Sequence, residues 1–197
     1  MAKKRPKPNP KRLILAITGL SLVAIGLLAV RLIHSDSSRY TFLYWNLVLA
    51  ALAPLLAWWF VSRQPKYGWT HISQIGLLIA WLLFLPNSFY ILTDFVHLRP
   101  TFEASMMYDI ALLTSFTLCG LIFGYSSVYL IHNKLRQKLS YRHAWYAIAG
   151  VFLASSFAIY LGRFSRFNTW DVLLAPAGLL FDVSDRVFNE MANTDIY

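Results

Sequence analysis

Apolar residues run along this chain in five long blocks separated by short polar stretches. The blocks cover residues 13–33, 41–61, 71–93, 107–131 and 144–161. A helix needs about 20 such residues to cross a hydrocarbon core, so the pattern predicts an all-α, polytopic transmembrane helix bundle of about five spans. Residues 1–12, MAKKRPKPNPKR, hold six basic residues and three prolines and predict a disordered basic arm. Arm and first block together have the outline of a secretory signal. The block is long, however, and residues 31–38 offer no small-x-small cleavage site, so it reads as an uncleaved first span.

Inside the blocks, single residues predict shape. Pro54 is expected to kink the second span. Tyr44, Trp45, Trp58 and Trp59 stand toward its ends, where aromatic belts form. Gly120 and Gly124 make a small-xxx-small pair suited to close helix contact, a pattern that is also common by chance in membrane helices. The transmembrane bundle is thus expected over 13–162. Residues 163–197 form a different region, because the apolar stretch 172–187 is broken by Pro176, Gly178, Asp182, Asp185 and Arg186. That composition predicts an interfacial amphipathic helix rather than a sixth span.

Composition supports the bilayer. The 197-residue chain is 57% hydrophobic and only 14% charged, where a soluble domain carries about 25% charged residues. The net charge of +9 would by itself suit nucleic acid, but the basic residues sit at the ends of apolar blocks and point to no nucleic-acid partner. Cys119 is the only cysteine and lies mid-block, which excludes an intrachain disulfide and favours a packing role.

Charge also predicts orientation. With the N-terminus in the cytoplasm and five alternating spans, the inner segments hold twelve basic residues and the outer segments six. This bias satisfies the positive-inside rule. All nine acids fall on the outer side or at the outer end of a span. The expected location is a cytoplasmic (plasma) membrane, with an outer face where acidic and polar residues gather.

Most of that chemistry lies in 85–98, LPNSFYILTDFVHL, and 162–171, GRFSRFNTWD. Asn87, Tyr90, Asp94 and His97 are spaced so that a continuing helix carries them on one face. Pro86 lacks an N–H and clashes with the carbonyl of Leu82, so the span should bend near its outer end and free a carbonyl, for which Asn87 is well placed to supply a partner. Asp94 and His97 form a D-x-x-H pair able to bind a metal, or to let the carboxylate orient the imidazole for proton transfer. A third metal ligand would come from Glu103, Asp109 or Asp171. The blander alternative is a hydrogen-bonded pair at the membrane surface. Arg163 and Arg166 share a face and suit a phosphate or carboxylate group, or else internal ion pairing with Asp94, Asp109 or Asp171. No glycine-rich phosphate loop, G-x-S-x-G or H-E-x-x-H is present in the sequence.

These two motifs resemble the bacterial multi-pass membrane proteins grouped as domain-of-unknown-function family 1361. The match lies at Leu85, Pro86, Asn87, Tyr90, Ile91, Thr93, Asp94, His97 and Leu98, then at Gly162, Arg163, Arg166, Asn168, Trp170 and Asp171, with Thr169 where the family often has serine. The resemblance spans roughly 41–187. It implies an integral membrane protein of bacterial type and supplies no activity. Family members tend to carry another apolar span beyond the tail, where this sequence stops.

Two functional readings stand at this point. In the first, an outward polar site built from Asn87, Tyr90, Thr93, Asp94, His97, Arg163, Arg166, Asn168, Trp170 and Asp171 binds a lipid headgroup, a small solute or a partner. In the second, a membrane enzyme acts on a lipid-linked or phosphate-bearing substrate. There Asp94 and His97 would be catalytic or, with Asp109, metal-ligating. Expected partners are the bilayer itself and an anionic lipid or lipid-linked phosphate, and no cofactor is specified. A transporter is disfavoured, since few charges lie mid-span and no inverted repeat is visible.

Overall fold

Each apolar block becomes one helix, and four of the five helices run past their blocks while the third is extended by a 3-10 segment. In the computed structural model, which describes residues 10–34, 38–67, 69–99 and 105–164, these are α1 (Pro10–His34), α2 (Phe42–Tyr67), α3 (Ile72–Tyr90), α4 (Met106–Leu135) and α5 (Tyr141–Phe164). A seven-residue 3-10 segment, Ile91–His97, continues α3. The overrun has a physical cause: within a membrane every backbone N–H and C=O needs a partner in its own segment, so the helix persists until it reaches polar surroundings. α1 begins at Pro10, where a missing N–H costs nothing.

All five helices are long and apolar enough to cross a bilayer, and among the described residues there is no strand. The chain is a multi-pass membrane protein. The predicted interfacial helix over 172–187 and most of the basic arm lie outside the described residues.

α4 is the helix around which the others pack. Half of its span is buried within the protein, against 17–28% for the other four. One apolar cluster joins Ala24 and Leu28 of α1, Leu43 and Leu47 of α2, and Leu112 and Phe116 of α4. A second, toward the opposite end, joins Phe60 of α2, Trp81 and Leu85 of α3, Val128 and Ile131 of α4, and Ile148 of α5. Ala50, Ala53 and Ala57 give α2 a fully buried stripe of small side chains. Lipid is as apolar as leucine, so such stripes hold membrane helices together by close approach. α2 runs through Pro54 as one continuous helix.

The Gly120–Gly124 pair serves the same purpose. A Cβ on Gly120 would collide with the carbonyl oxygen of Ser88, and one on Gly124 would lie 2.6 Å from Cζ of Phe89. Hydrogen bonds tie α3 to both α2 and α4. Ser88 Oγ donates to the carbonyl of Ala50 on α2 at 3.0 Å, and Trp81 Nε1 donates to Ser127 Oγ of α4 at 3.2 Å.

The end of α3 departs from the expected continuing helix. Five residues after Pro86, at Ile91, the coil tightens from α to 3-10. Asn87 turns its amide back onto the carbonyl of Phe84 at 3.2 Å rather than onto that of Leu82. In a 3-10 helix residues three apart eclipse, so the motif separates into two rows. Ile91 and Asp94 face inward and are buried. Tyr90, Thr93 and Val96 form the second row. His97 belongs to the first row but stands exposed, its ring 5.0 Å from that of Phe42.

Candidate functional site at the acidic end of the bundle

The ends of α1, α3 and α5 and the starts of α2 and α4 come together at one end of the bundle. Both acids among the described residues, Asp94 and Asp109, lie there. The basic residues Lys134, Arg136, Lys138 and Arg142 lie at the other end, where α4 finishes and α5 begins. Among the described residues the acidic end carries two separate polar networks.

The first centres on Asp109 in the opening turn of α4, where the helix dipole favours an acid. Arg31 Nε, from the last turn of α1, donates to its Oδ1 at 2.8 Å, and Tyr40 donates its hydroxyl to Oδ2 at 3.2 Å. The Arg31 guanidinium also stands 5.7 Å from the centre of the Tyr40 ring. Burial, reinforced by the charge of Asp109, pushes the Tyr40 phenol above its ordinary pKa and keeps it a proton donor. Arg31 and Asp109 are 3% and 1% exposed. This is a sealed structural clasp.

The second network centres on Asp94. Its Oδ2 accepts from Asn46 Nδ2 of α2 at 2.8 Å. Its buried Oδ1 has no hydrogen bond and lies 3.6 Å from Arg163 Nη1. Arg163, in the last turn of α5, donates from Nη1 to the Tyr90 hydroxyl at 3.2 Å and from Nη2 to the carbonyl of Thr93 at 2.7 Å. Its guanidinium sits 5.5 Å from the Tyr90 ring centre, and Thr93 Oγ1 returns a hydrogen bond to the Tyr90 carbonyl at 2.7 Å. The outer row of the 3-10 segment is therefore the strip that fastens to α5.

Between that strip and α5 runs an open groove of roughly 390 Å³, lined by Thr93, Val96, Ser156, Ile159, Tyr160 and Arg163. Positions 156, 159 and 163 recur on one helical face. Arg163 is 16% exposed where Asp94 is 1%, so the groove meets the cation while the carboxylate stays behind it. Arg39, Arg99 and Arg163 all act electrostatically on His97 nearby.

The structure thus brings Tyr90, Thr93, Asp94 and Arg163 together. Asn87 is occupied within its own helix. His97 is near but not joined: among the described residues no hydrogen bond links it to Asp94, and its ring contact is with Phe42. Asp109 belongs to the other network. No group of three His, Cys, Asp or Glu side chains assembles among the described residues. Arg166, Asn168, Trp170 and Asp171, and with them Glu103, lie outside the described residues.

A family model for a protein of unknown function, DUF1361, matches residues 45–196. The chain belongs to the DUF1361 family. Both motifs of this DUF1361 protein fall inside the match. No curated protein and no solved structure matched it.

Sequence reasoning missed Asn46, Arg31 and Tyr40. Asn46 carried a usable signal, as a lone amide inside an otherwise apolar span, where polar groups tend to bond across helices. Arg31 and Tyr40 carried none, because a basic residue and a tyrosine at span ends already satisfy the orientation and aromatic-belt patterns.

Proposed function

We propose that this DUF1361 protein binds a phosphate-class anion at the acidic end of its bundle, without turning it over. The reading is carried by Arg163. Among the described residues, Tyr90, the Thr93 carbonyl and Asp94 hold it, and hydrogen bonds from Nη1 and Nη2 engage two of the five N–H groups that a guanidinium offers. An arginine fixed in this way loses little freedom when it takes a ligand, and its planar fork suits phosphate oxygens. Arg39 and Arg99, whose charges reach His97, add positive potential to this end of the bundle. In this reading the acidic end faces the outside of a plasma membrane, as the distribution of lysine and arginine favours.

The experiment is a thermal shift of the detergent-purified protein, read by tryptophan fluorescence, against sn-glycerol 3-phosphate and inorganic phosphate. Saturable stabilisation in the wild type and its loss in Arg163→Gln is the expected result. Equal shifts in both proteins, or none in either, overturn the reading. Release of product from a phosphate-bearing lipid, abolished in Asp94→Asn, would replace it with the enzymatic one.

A further inference from the structure

The groove beside Arg163 opens on the surface of the bundle between the 3-10 segment and α5, and its walls fit something other than a soluble anion. Val96 is 63% exposed and Tyr160 37%. Both, with Ile159 and Ser156, lie within helical stretches apolar enough to sit in the hydrocarbon. The hydroxyl of Ser156 is already satisfied by the carbonyl of Phe152 at 2.9 Å, so it makes no polar demand on the groove. A slot with lipid-compatible walls and one cation at its polar end is complementary to an amphiphile, a chain below and an anion above.

We infer that the groove is a lateral lipid site, in which Arg163 holds the phosphate of an anionic lipid and the cleft between the 3-10 segment and α5 holds part of one chain. The inference rests on the anion-binding reading and adds the class of ligand and its route of entry. Dimensions and charge favour this occupant. At roughly 390 Å³ the groove falls in the range that takes a small ligand. It therefore admits a headgroup and a length of one chain, while the remainder of the lipid stays in the bilayer. The guanidinium approaches from the α5 side, and Asp94 is shielded behind it, so an incoming phosphate meets the cation first. Thr93 stands at the junction, its carbonyl fixing Arg163 and its position lining the groove. Tighter 3-10 winding is what makes this possible, since it turns Tyr90, Thr93 and Val96 into one strip facing α5.

The test uses the full chain in phosphatidylcholine nanodiscs doped with phosphatidylglycerol, with retained lipid read by native mass spectrometry after release. Soluble sn-glycerol 3-phosphate is titrated in parallel. The expected wild-type result is preferential retention of phosphatidylglycerol. Ser156→Trp fills the cleft without touching Arg163, and Ser156→Leu does so more mildly. Both should cut retention, by about tenfold for tryptophan, and leave the response to glycerol phosphate unchanged. Arg163→Gln should lose both. If the two Ser156 variants retain lipid as the wild type does, the lateral site is overturned while anion binding stands. If Arg163→Gln changes neither measurement, the anion-binding reading falls as well. A photo-reactive benzophenone side chain in place of Ser156 should label lipid, whereas labelling of the chain's own residues would show that the protein fills its own groove and would overturn the inference.

Discussion

The Arg31–Asp109 and Arg163–Asp94 pairs look alike in sequence but should behave differently when broken. Asp109→Asn removes a carboxylate that is 2.8 Å from Arg31, hydrogen-bonded by it, and sealed with it from solvent. Asp94→Asn removes one that is 3.6 Å from Arg163, with no hydrogen bond on the facing oxygen and a partner that is 16% exposed. At an effective dielectric constant near 20, the two distances alone separate the Coulomb energies by about 1.3 kcal/mol. The charge-assisted hydrogen bond on Asp109 widens the gap by about 1.5–3 kcal/mol. Removing one member of a fully buried pair costs about 3–5 kcal/mol. Asp109→Asn is therefore expected to cost that much, and Asp94→Asn about 1–2 kcal/mol, since Arg163 keeps Tyr90, the Thr93 carbonyl and some solvent. Unfolding of each variant by SDS in mixed micelles, followed by tryptophan fluorescence, measures both. Equal costs, or a larger cost at Asp94, would refute the division into a structural clasp and a site that carries function. Arg31→Met combined with Asp109→Leu should recover part of the loss, as removing both charges avoids burying one alone.

Other outcomes follow from the same geometry. Gly120→Ala should destabilise more than Gly124→Ala, by about 1–3 kcal/mol in the same unfolding assay, because backbone opposes the first and a movable Phe89 ring the second. Tyr40→Phe removes a hydrogen bond to a carboxylate and should cost about 1.5–3 kcal/mol at neutral pH. The raised Tyr40 phenol contributes stability that is complete below pH ~10, where an unfolded tyrosine ionises, and is lost as pH climbs through the folded value. Unfolding midpoints measured across that alkaline range should therefore fall less steeply in Tyr40→Phe than in the wild type. In a Cys119→Ala background, a cysteine at Glu103 should react with a membrane-impermeant maleimide added outside cells, and protection there would reverse the proposed orientation.

Much of the architecture was legible because a bilayer reduces it to a count. Residues that cannot leave backbone groups unpaired in hydrocarbon must form helices of spanning length, and apolar blocks report those helices directly. The Gly120–Gly124 contact was legible for a similar reason, as helices without side chains at the seam approach closely. The clustering of Asp94 with Arg163 followed from alternation, which sends both to one end. The fine structure of the site was not legible. A period of 3.6 applied to Asn87, Tyr90, Asp94 and His97 put four residues on one face, whereas the tighter winding after Pro86 dispersed them. Asp109 was grouped with Asp94 because both sit at the same end, yet their partners come from different helices. Partner choice depends on lateral packing order, and hydropathy says nothing about which helix lies beside which.

The short 3-10 segment makes spacing, rather than identity, the sensitive property of this motif. Each residue there turns the chain by about 120°. Inserting one residue between Ile91 and Asp94 would advance every later side chain by one row, and deleting one would set each back by a row. Asp94 would leave its buried place beside Asn46, and a neighbour would enter it. A length change that an ordinary loop absorbs would here exchange the inside of the site for its outside, with every residue type still present. The segment works as an indexing device, and the site exists only at one setting.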